Sequence, residues 1–301
     1  MHGERRPRSF YVLAAFFALF VMFLYGPTLT ILILSFQGPE GGLTFPMNGV
    51  STFWFGKLME GVGVVDIWAA FRRSLKLAAV VMVVTVVFSV AAGLAYRRRF
   101  LGASMLFYIV VASLIVPSIV VSLGIGLGFR LLDEQVVAIA ETQAWTGITE
   151  TYTTSAGLFT SALGAHLTWT LPFGLLIMFA VFNRFDKAYE EAARDLGASN
   201  WQTFQYVVLP IIAPSLIGVA LFGFTLSYDE LARSTQAAGD LNTLPLELQG
   251  LTTTVTTPEI YALGTLTTGV SFAVICFSLA VVLLLRRRRA AHGTDAGKGM
   301  V

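Results

Sequence analysis

The chain has 301 residues and a formal net charge of +2; 55% of its residues are hydrophobic and only 13% are charged. A soluble domain carries about 25% charged residues, so this composition cannot cover a water-facing surface. It excludes a soluble enzyme domain, a nucleic-acid binder and a disordered protein, and it indicates an integral membrane protein. The one cysteine, Cys276, excludes an intrachain disulfide. The three histidines lack metal-ligand spacing, so no metal site is expected.

Six apolar segments are long enough to cross a bilayer as helices, which takes roughly 20 residues. They cover residues 10–36, 75–96, 103–129, 156–182, 211–228 and 263–285. The first is longer than the apolar region of a signal peptide, and no small-residue cleavage site follows it, so we expect it to remain as a span. The sequence therefore predicts an all-α integral membrane fold with six transmembrane helices in one domain over residues 1–301.

The distribution of charge predicts the orientation of these spans. The N-terminal tail, the 97–102 loop, the 183–210 loop and the 286–301 tail hold 14 of the 20 Lys and Arg but 6 of the 18 Asp and Glu. Positively charged loops face the cytoplasm. We therefore expect a multi-pass protein of the cell (inner) membrane, surrounded by lipid, with both termini cytoplasmic. The acidic outer loops either mirror this rule or favour a cationic solute.

The 183–210 loop is longer than the other inner loop and contains signals for short helices. Asp186 can cap a helix that ends at Gly197. Ser199 can cap a second helix through Tyr206, and Pro210 marks the start of the fifth span. A short helix at the membrane surface is suited to docking on a cytoplasmic protein. The alternative is an interfacial connector that binds no partner.

The residue order in this loop resembles the EAA loop of ABC importer permeases. That pattern is Glu-Ala-Ala, three residues, Gly, nine residues, Ile, one residue and Leu-Pro. The matching residues are Glu191, Ala192, Ala193, Gly197, Leu209 and Pro210, with Val207 in place of Ile. The resemblance implies the type I ABC importer permease fold and a coupling helix that docks on a pair of ATP-hydrolysing subunits.

The same resemblance implies roles for individual residues. Glu191 would be the charged contact with the ATPase, the two alanines would permit close approach, and Gly197 would allow the turn between helices. Leu209 and Pro210 would anchor the return into the membrane. The residues assigned to ATPase coupling are Glu190, Glu191, Ala192, Ala193, Asp195, Gly197, Ala198, Leu209 and Pro210.

Further segments resemble the second permease subunit of spermidine/putrescine importers. They are residues 166–173, 224–230, 243–246 and 257–263, which follow one another in the same order. The resemblance implies that the solute is a polyamine or a related small organic solute. It also implies two partners besides the ATPase: a second, different permease subunit and an extracytoplasmic solute-binding protein. Residues 133–155 and the region around residue 240 depart from the pattern.

Candidate solute contacts follow the fifth span. Asp229 and Glu230 are acids beside a membrane helix, where they could attract an ammonium group. Ser227 and Tyr228 could add a hydroxyl and an aromatic face, and Trp169 could also line the path. Alternatively, the acidic pair only ends the span in water, and Trp169 belongs to an interfacial aromatic belt.

The chain lacks the Gly-x-x-x-x-Gly-Lys-Ser/Thr sequence of a nucleotide-binding loop. We therefore expect no enzymatic activity and no cofactor in this chain, with ATP and Mg on the partner ATPase. For His166, a capping or packing role is favoured over proton transfer. Two alternative functions are an ion-gradient-driven secondary transporter, which predicts ionisable residues in mid-span, and a non-transport membrane scaffold.

Overall fold

The computed structural model describes residues 7–61, 66–254 and 258–291, and within these ranges the chain is mainly helical and has no β-strand. The helices are α1 (Arg8–Leu34), α2 (Phe53–Glu60), α3 (Ile67–Tyr96), α4 (Ala103–Ala112), α5 (Ser118–Thr142), α6 (Thr146–Thr151), α7 (Ser161–Arg184), α8 (Ala188–Asp195), α9 (Asn200–Thr203), α10 (Leu209–Tyr228), α11 (Leu244–Thr254) and α12 (Pro258–Ala291). A π-helical turn, Phe204–Val208, joins α9 to α10.

Five helical segments in the described part of the chain are long and apolar enough to cross a membrane. They are Arg8–Leu34, Ile67–Tyr96, Ser161–Arg184, Asn200–Tyr228 and Pro258–Leu284. Helix α1 leaves most of its large apolar side chains exposed, among them Phe16 and Phe23. Such a surface is stable against lipid but not against water, so the all-α membrane class is confirmed.

The third predicted span, residues 103–129, differs from the expectation because it forms two helices. Proline lacks an amide hydrogen, and the residue before it disfavours the helical conformation. Pro117 therefore separates α4, which ends at Ala112, from α5, which begins at Ser118. Helix α4 has only 10 residues, and α5 continues past Phe129 to Thr142.

The fourth span begins at Ser161, five residues later than predicted, because a loop precedes it. This loop folds around the carboxylate of Asp133, which accepts hydrogen bonds from the Thr154 hydroxyl at 2.6 Å and the Ser155 amide at 2.8 Å, and also from the Tyr152 hydroxyl. Burial alone would raise the pKa of Asp133, but these hydrogen bonds outweigh it and lower the pKa. Residues 133–155, which depart from the family pattern, thus contain a local structure in which one carboxylate, that of Asp133, holds the loop.

The last helix is also longer than predicted. Helix α12 begins at Pro258. Proline is favourable in the first turn of a helix, because an amide hydrogen at that position would have no partner within the helix. It continues to Ala291 and includes the arginines at 286–289, which the sequence suggested as the end of the span.

The chain divides into two compact units, the first formed by residues up to 66 with 248–271 and the second by residues 67–247 with those from 272 onward. In the first unit, the buried side chain of Gln37 holds the loop after α1. Its amide nitrogen donates to the Gly42 carbonyl at 3.0 Å, and its oxygen accepts from the Asn48 amide at 2.8 Å. Lys57 and Glu259 form an ion pair at 2.7 Å.

Helices α3, α7 and α10 form the core of the second unit. Small residues on one face of a membrane helix allow close packing, and α3 has such a face. It consists of Ala70, Ser74, Ala78, Val81, Thr85, Ser89 and Gly93. Gly174 of α7 lies so close that a Cβ atom there would be 2.0 Å from the Ser89 hydroxyl oxygen. The Thr85 and Thr170 hydroxyls form a buried hydrogen bond at 2.7 Å.

Candidate functional site

Helix α8 forms where the EAA pattern predicts the coupling helix. The side chain of Asp186 accepts a hydrogen bond from the Ala188 amide at 2.9 Å, which satisfies one of the free amides at the start of the helix. Glu190 and Glu191 lie in the first turn, where carboxylates interact favourably with the helix dipole. The acid-rich start of the pattern therefore stabilises this short helix.

Gly197 ends α8 with a left-handed backbone conformation, φ +84°. Its amide donates to the Arg194 carbonyl at 2.8 Å, and the Ala198 amide donates to the Ala193 carbonyl at 3.0 Å. These two bonds are those of a Schellman motif, in which glycine is preferred because a Cβ atom is strained at positive φ. The glycine of the EAA pattern thus has a defined structural task, which is to reverse the chain after α8.

Ser199 caps the next helix, as predicted, through a reciprocal pair of hydrogen bonds. Its hydroxyl accepts from the Gln202 amide at 3.2 Å, and the Gln202 side chain accepts from the Ser199 amide at 2.8 Å. However, this helix does not end at Tyr206. It continues through the π-helical turn into α10, so that one helical segment runs over Asn200–Tyr228.

The residues assigned to ATPase coupling do not all lie together. Residues 190–198 lie in α8 and in the turn after it, whereas Leu209 and Pro210 lie beyond the π-helical turn in the first turn of α10. We call residues 186–202, from the residues that begin α8 to the cap of α9, the coupling corner. Within the coupling corner, Glu191, Ala192 and Asp195 are exposed, and Leu196 is 90% exposed. This leaves one face of α8 open.

Glu190 has a different environment from its neighbour Glu191. Its two carboxylate oxygens accept hydrogen bonds from the guanidinium of Arg97, at the end of α3, both at 2.7 Å. Arg97 also stacks over Phe182 and Phe185, with 5.3 Å to each ring centroid. The hydrogen bonds from Arg97 lower the pKa of Glu190. This bidentate pair fastens α8 to α3 and to the end of α7.

Sequence reasoning missed the role of Arg97. It stands first in a run of three arginines after α3, and the sequence places that run only in the positively charged 97–102 loop. No feature of the sequence singles out one of the three for pairing with an acid 93 residues away. Beside the pair lies a cleft of about 500 Å³ whose cationic lining includes Arg98, Lys187 and Arg194.

The candidate solute contacts lie at the opposite end of α10, next to residues 229–240, which form a series of turns without a long helix. We call these residues the buried turn segment. Helices α5 and α7 hold its main chain. The Ser122 hydroxyl donates to the Arg233 carbonyl and accepts from the Gln236 amide, both at 3.0 Å. The Ser161 hydroxyl donates to the Ala237 carbonyl at 2.6 Å.

His166 joins this segment to α10. One ring nitrogen lies 2.8 Å from the Ser227 hydroxyl, and the other lies 2.9 Å from the Ser234 hydroxyl. The ring is 1% exposed. Both of its nitrogens therefore have hydrogen-bond partners inside the protein, as a packing role requires.

The predicted solute residues have unequal environments. Ser227 bonds to His166, and Tyr228 is buried and stacked on Phe224 with ring centroids 5.7 Å apart. One Glu230 oxygen accepts from the Arg233 amide at 3.0 Å, so this carboxylate stabilises the turn that follows it. Only Asp229 is exposed.

Trp169 contacts Arg233, which is not among the residues that the sequence predicts as solute contacts. The guanidinium of Arg233 lies 5.0 Å from the centroid of its ring, a cation–π contact. Arg233 is fully buried, although it follows the fifth span by only five residues. Its position next to the acidic pair was visible in the sequence, but its burial was not.

A comparison with known protein families identifies the chain. Residues 67–291 match the model of the binding-protein-dependent transport system inner membrane component. The chain belongs to this family. The matched region includes the coupling corner, the buried turn segment and the three core helices α3, α7 and α10.

Individual members of the family show similarity over most of the chain. The putrescine transport system permease protein PotI of Escherichia coli (strain K12) is 30% identical over 250 residues, which cover 82% of each chain. The spermidine/putrescine transport system permease protein PotC of Haemophilus influenzae is 29% identical over 280 residues, covering 91% of this chain and 95% of the relative. The resemblance to permease subunits of polyamine importers is thereby confirmed.

A solved structure supports the fold. The chain is similar to a chain in the crystal structure of a bacterial ABC transporter involved in the import of the acidic polysaccharide alginate, with a TM-score of 0.54 and 16% identity. The match covers 97% of this chain and 100% of that chain. The family match and the two named relatives identify the protein as a membrane-spanning permease subunit of the ABC importer type, in place of a gradient-driven transporter or a scaffold.

Proposed function

We propose that the exposed face of α8 docks on an ATPase subunit that binds ATP and Mg and hydrolyses the ATP. The observation that carries this proposal is the coupling corner, because it combines an open face with a rigid attachment. Glu191 and Ala192 are exposed, while the neighbouring Glu190 is fastened to α3 by Arg97. A partner that moves α8 would therefore also move the core helices.

The connection from α8 to α10 supports the same proposal. The corner between them is closed on both sides, by the Schellman motif at Gly197 and by the capping box at Ser199. The following helical segment, Asn200–Tyr228, contains 29 residues without interruption. Rigid-body displacement of helices is a common way to convert a local contact into a larger conformational change. We infer that ATP binding and hydrolysis by the partner shift the permease between two states in this way.

We further propose that the solute is a small organic amine, with polyamines as the first candidates. The relatives PotI and PotC are named for putrescine and spermidine transport. The exposed carboxylate of Asp229, at the end of α10, could attract an ammonium group. A second, different permease subunit and an extracytoplasmic binding protein would complete the importer. With α8 on the cytoplasmic side, Asp229 would face outward, as the positive-inside rule also suggests.

The experiment is purification of the tagged full-length chain from its native membrane in mild detergent, with partners identified by mass spectrometry. We expect an ATPase and a second permease to co-purify. Gly197→Pro, which removes the amide of the Schellman motif, and Glu191→Lys, which reverses an exposed charge, should each lose the ATPase and retain the second permease. Asp240→Lys, a charge reversal at an exposed residue of the buried turn segment, is the matched control.

The control should retain both partners. Retention of the ATPase by Gly197→Pro and Glu191→Lys would contradict docking through the coupling corner. Purification of the wild-type chain without any ATPase would contradict the proposed function as a whole.

A further inference from the structure

The guanidinium of Arg233 has hydrogen-bond donors that the protein does not use. The side chain is 0% exposed. Its Nη1 donates to the Thr168 hydroxyl, and its plane lies over Trp169. Among the residues that the structure describes, its Nε and Nη2 find no hydrogen-bond partner. A buried donor without a partner costs free energy, and more so when it is charged.

The two unused donors lie on one edge of the guanidinium. Nη2 is the terminal nitrogen on the same side as the Nε hydrogen, so an N–H bond from each points in the same direction. This edge matches the two oxygens of a carboxylate, which binds it through two parallel hydrogen bonds. The unused donors of Arg233 therefore form a complete site for a planar oxyanion and not two isolated defects.

Acids close to Arg233 in sequence do not occupy this edge. Glu230 uses a carboxylate oxygen to accept from the main-chain amide of Arg233 and makes no ion pair with its side chain. Asp229 is exposed at the end of α10. Within the described part of the chain, the side chains that hold the buried turn segment are neutral hydroxyls and an imidazole, those of Ser122, Ser161, Thr168 and His166. No acid in the described part of the chain forms an ion pair with the Arg233 side chain, and the nearest charge in sequence, Glu230, acts on it only through space.

The segment does not need these two donors for its own structure. Its main chain is bonded to Ser122 and Ser161, and His166 joins it to α10. An arginine with only a structural role would donate hydrogen bonds to the main-chain carbonyls of the segment. Here the hydroxyls of Ser122 and Ser161 donate to those carbonyls, and the Nε–Nη2 edge of Arg233 is not used.

We propose that Arg233 binds a carboxylate of the transported solute, which would therefore carry both an amine and a carboxylate, as amino acids do. This inference rests on the proposed function as an importer of a small amine. A bare diamine would leave the edge of Arg233 empty and bring a like charge towards it. An amino acid would present its ammonium group to Asp229 and its carboxylate to Arg233. The Nε–Nη2 edge of Arg233 is closed to solvent in this conformation, so the solute would reach it when the importer changes conformation.

The test uses the complete importer, co-purified with its ATPase, second permease and binding protein, in vesicles with ATP. Pairs of radiolabelled compounds that differ only by a carboxylate are compared: putrescine with ornithine, cadaverine with lysine, and ethylamine with alanine. We expect uptake of at least one carboxylated member, at a rate at least about 10-fold above its amine. Uptake of the amines alone, or of no carboxylated member, would overturn the proposal.

Variants then separate recognition from structure. Arg233→Met should lower the uptake of the carboxylated solute at least about 10-fold and reduce its preference over the matched amine. Arg233→Lys keeps the charge but loses the paired donors, so it should also lose most of the preference. Thr168→Val, which removes the Nη1 partner and leaves the edge intact, is the matched control and should keep the preference.

The other possible outcomes of these experiments also support or overturn the proposal. Equal losses for both members of a pair in Arg233→Met and Thr168→Val would show that Arg233 only holds the segment, and would overturn the proposal. Loss of the second permease from Arg233→Met would indicate that an acid of that subunit occupies the edge, which also overturns it. If the wild-type complex contains an ATPase and shows ATP-dependent uptake of amines only, the proposed function stands and this inference fails. If it contains no ATPase, the proposed function itself fails.

Discussion

The coupling corner and the buried turn segment lie towards opposite ends of the helical segment that contains α10, and they satisfy their polar groups in different ways. In the coupling corner, most hydrogen bonds join residues two to five positions apart, as at Asp186, Gly197 and Ser199. In the buried turn segment, the anchoring bonds of Ser122, Ser161 and His166 join residues 68 to 114 positions apart. The corner can therefore keep its shape while one face stays open, whereas the segment depends on the packing of α5, α7 and α10.

The largest effect on stability is expected at His166, on which the anchoring of the buried segment depends. His166→Leu should lower the free energy of unfolding in detergent by about 2–3 kcal/mol, since it removes two buried hydrogen bonds. Thr235→Val is the matched control, because that exposed hydroxyl bonds only to a carbonyl of its own segment. The control should change stability by less than about 0.5 kcal/mol. Equal effects of the two variants would contradict the role of His166 as an anchor.

An intermediate effect is expected at the ion pair between Glu190 and Arg97, which joins the coupling corner to a distant part of the chain. Glu190→Gln should lower the free energy of unfolding by about 1–2 kcal/mol, because Arg97 then loses a charged partner in a site where both side chains are mostly buried. A double-mutant cycle with Arg97→Met measures the coupling. Glu191→Gln, at the exposed neighbour, is the control and should have an effect near zero. A cycle with no coupling energy would refute the attachment of α8 to α3.

The same pair predicts a dependence on pH. The pKa of Glu190 is lowered in the folded protein, so its contribution to stability is present above the unfolded-state pKa of about 4.3 and is lost as pH falls through the folded-state value. Unfolding measured between pH 7 and pH 3 should show a smaller loss of stability in Glu190→Gln than in wild type. Identical pH profiles would contradict this assignment.

The smallest effect is expected for a local cap. Ser199→Ala should cost about 1 kcal/mol, the usual contribution of a helix-capping serine. It should also weaken ATPase binding less than Gly197→Pro, since the Schellman motif remains. Asn200→Ala at the neighbouring exposed position is the control, with an expected change within about 0.5 kcal/mol. A loss at Ser199 as large as that at His166 would remove the distinction between the two regions.

The contrast between these regions also explains which predictions succeeded. Gly197 and Ser199 were recognised because a cap and the helix that it terminates are adjacent in sequence. Asp186 was predicted as the cap of α8, but the N-cap position is Lys187, and Asp186 bonds to the Ala188 amide from one residue further out. The second helix was predicted to end at Tyr206, which was wrong, because the π-helical turn that continues it has no comparable signal. The separation of α4 from α5 at Pro117 was not predicted, because residues 103–129 form one apolar segment long enough to be a single span.

The sequence by itself determined the membrane class, five of the long apolar helices and the position of the coupling corner, because these depend on hydrophobic length and on contacts within a few residues. Only the tertiary structure decided that Arg97 pairs with Glu190, that His166 joins two serines, and that Arg233 is buried with one edge unused. These depend on helices packed from distant parts of the chain. Close packing, as at Gly174 against Ser89, decides which side chains meet, and composition and spacing along the chain do not contain that information.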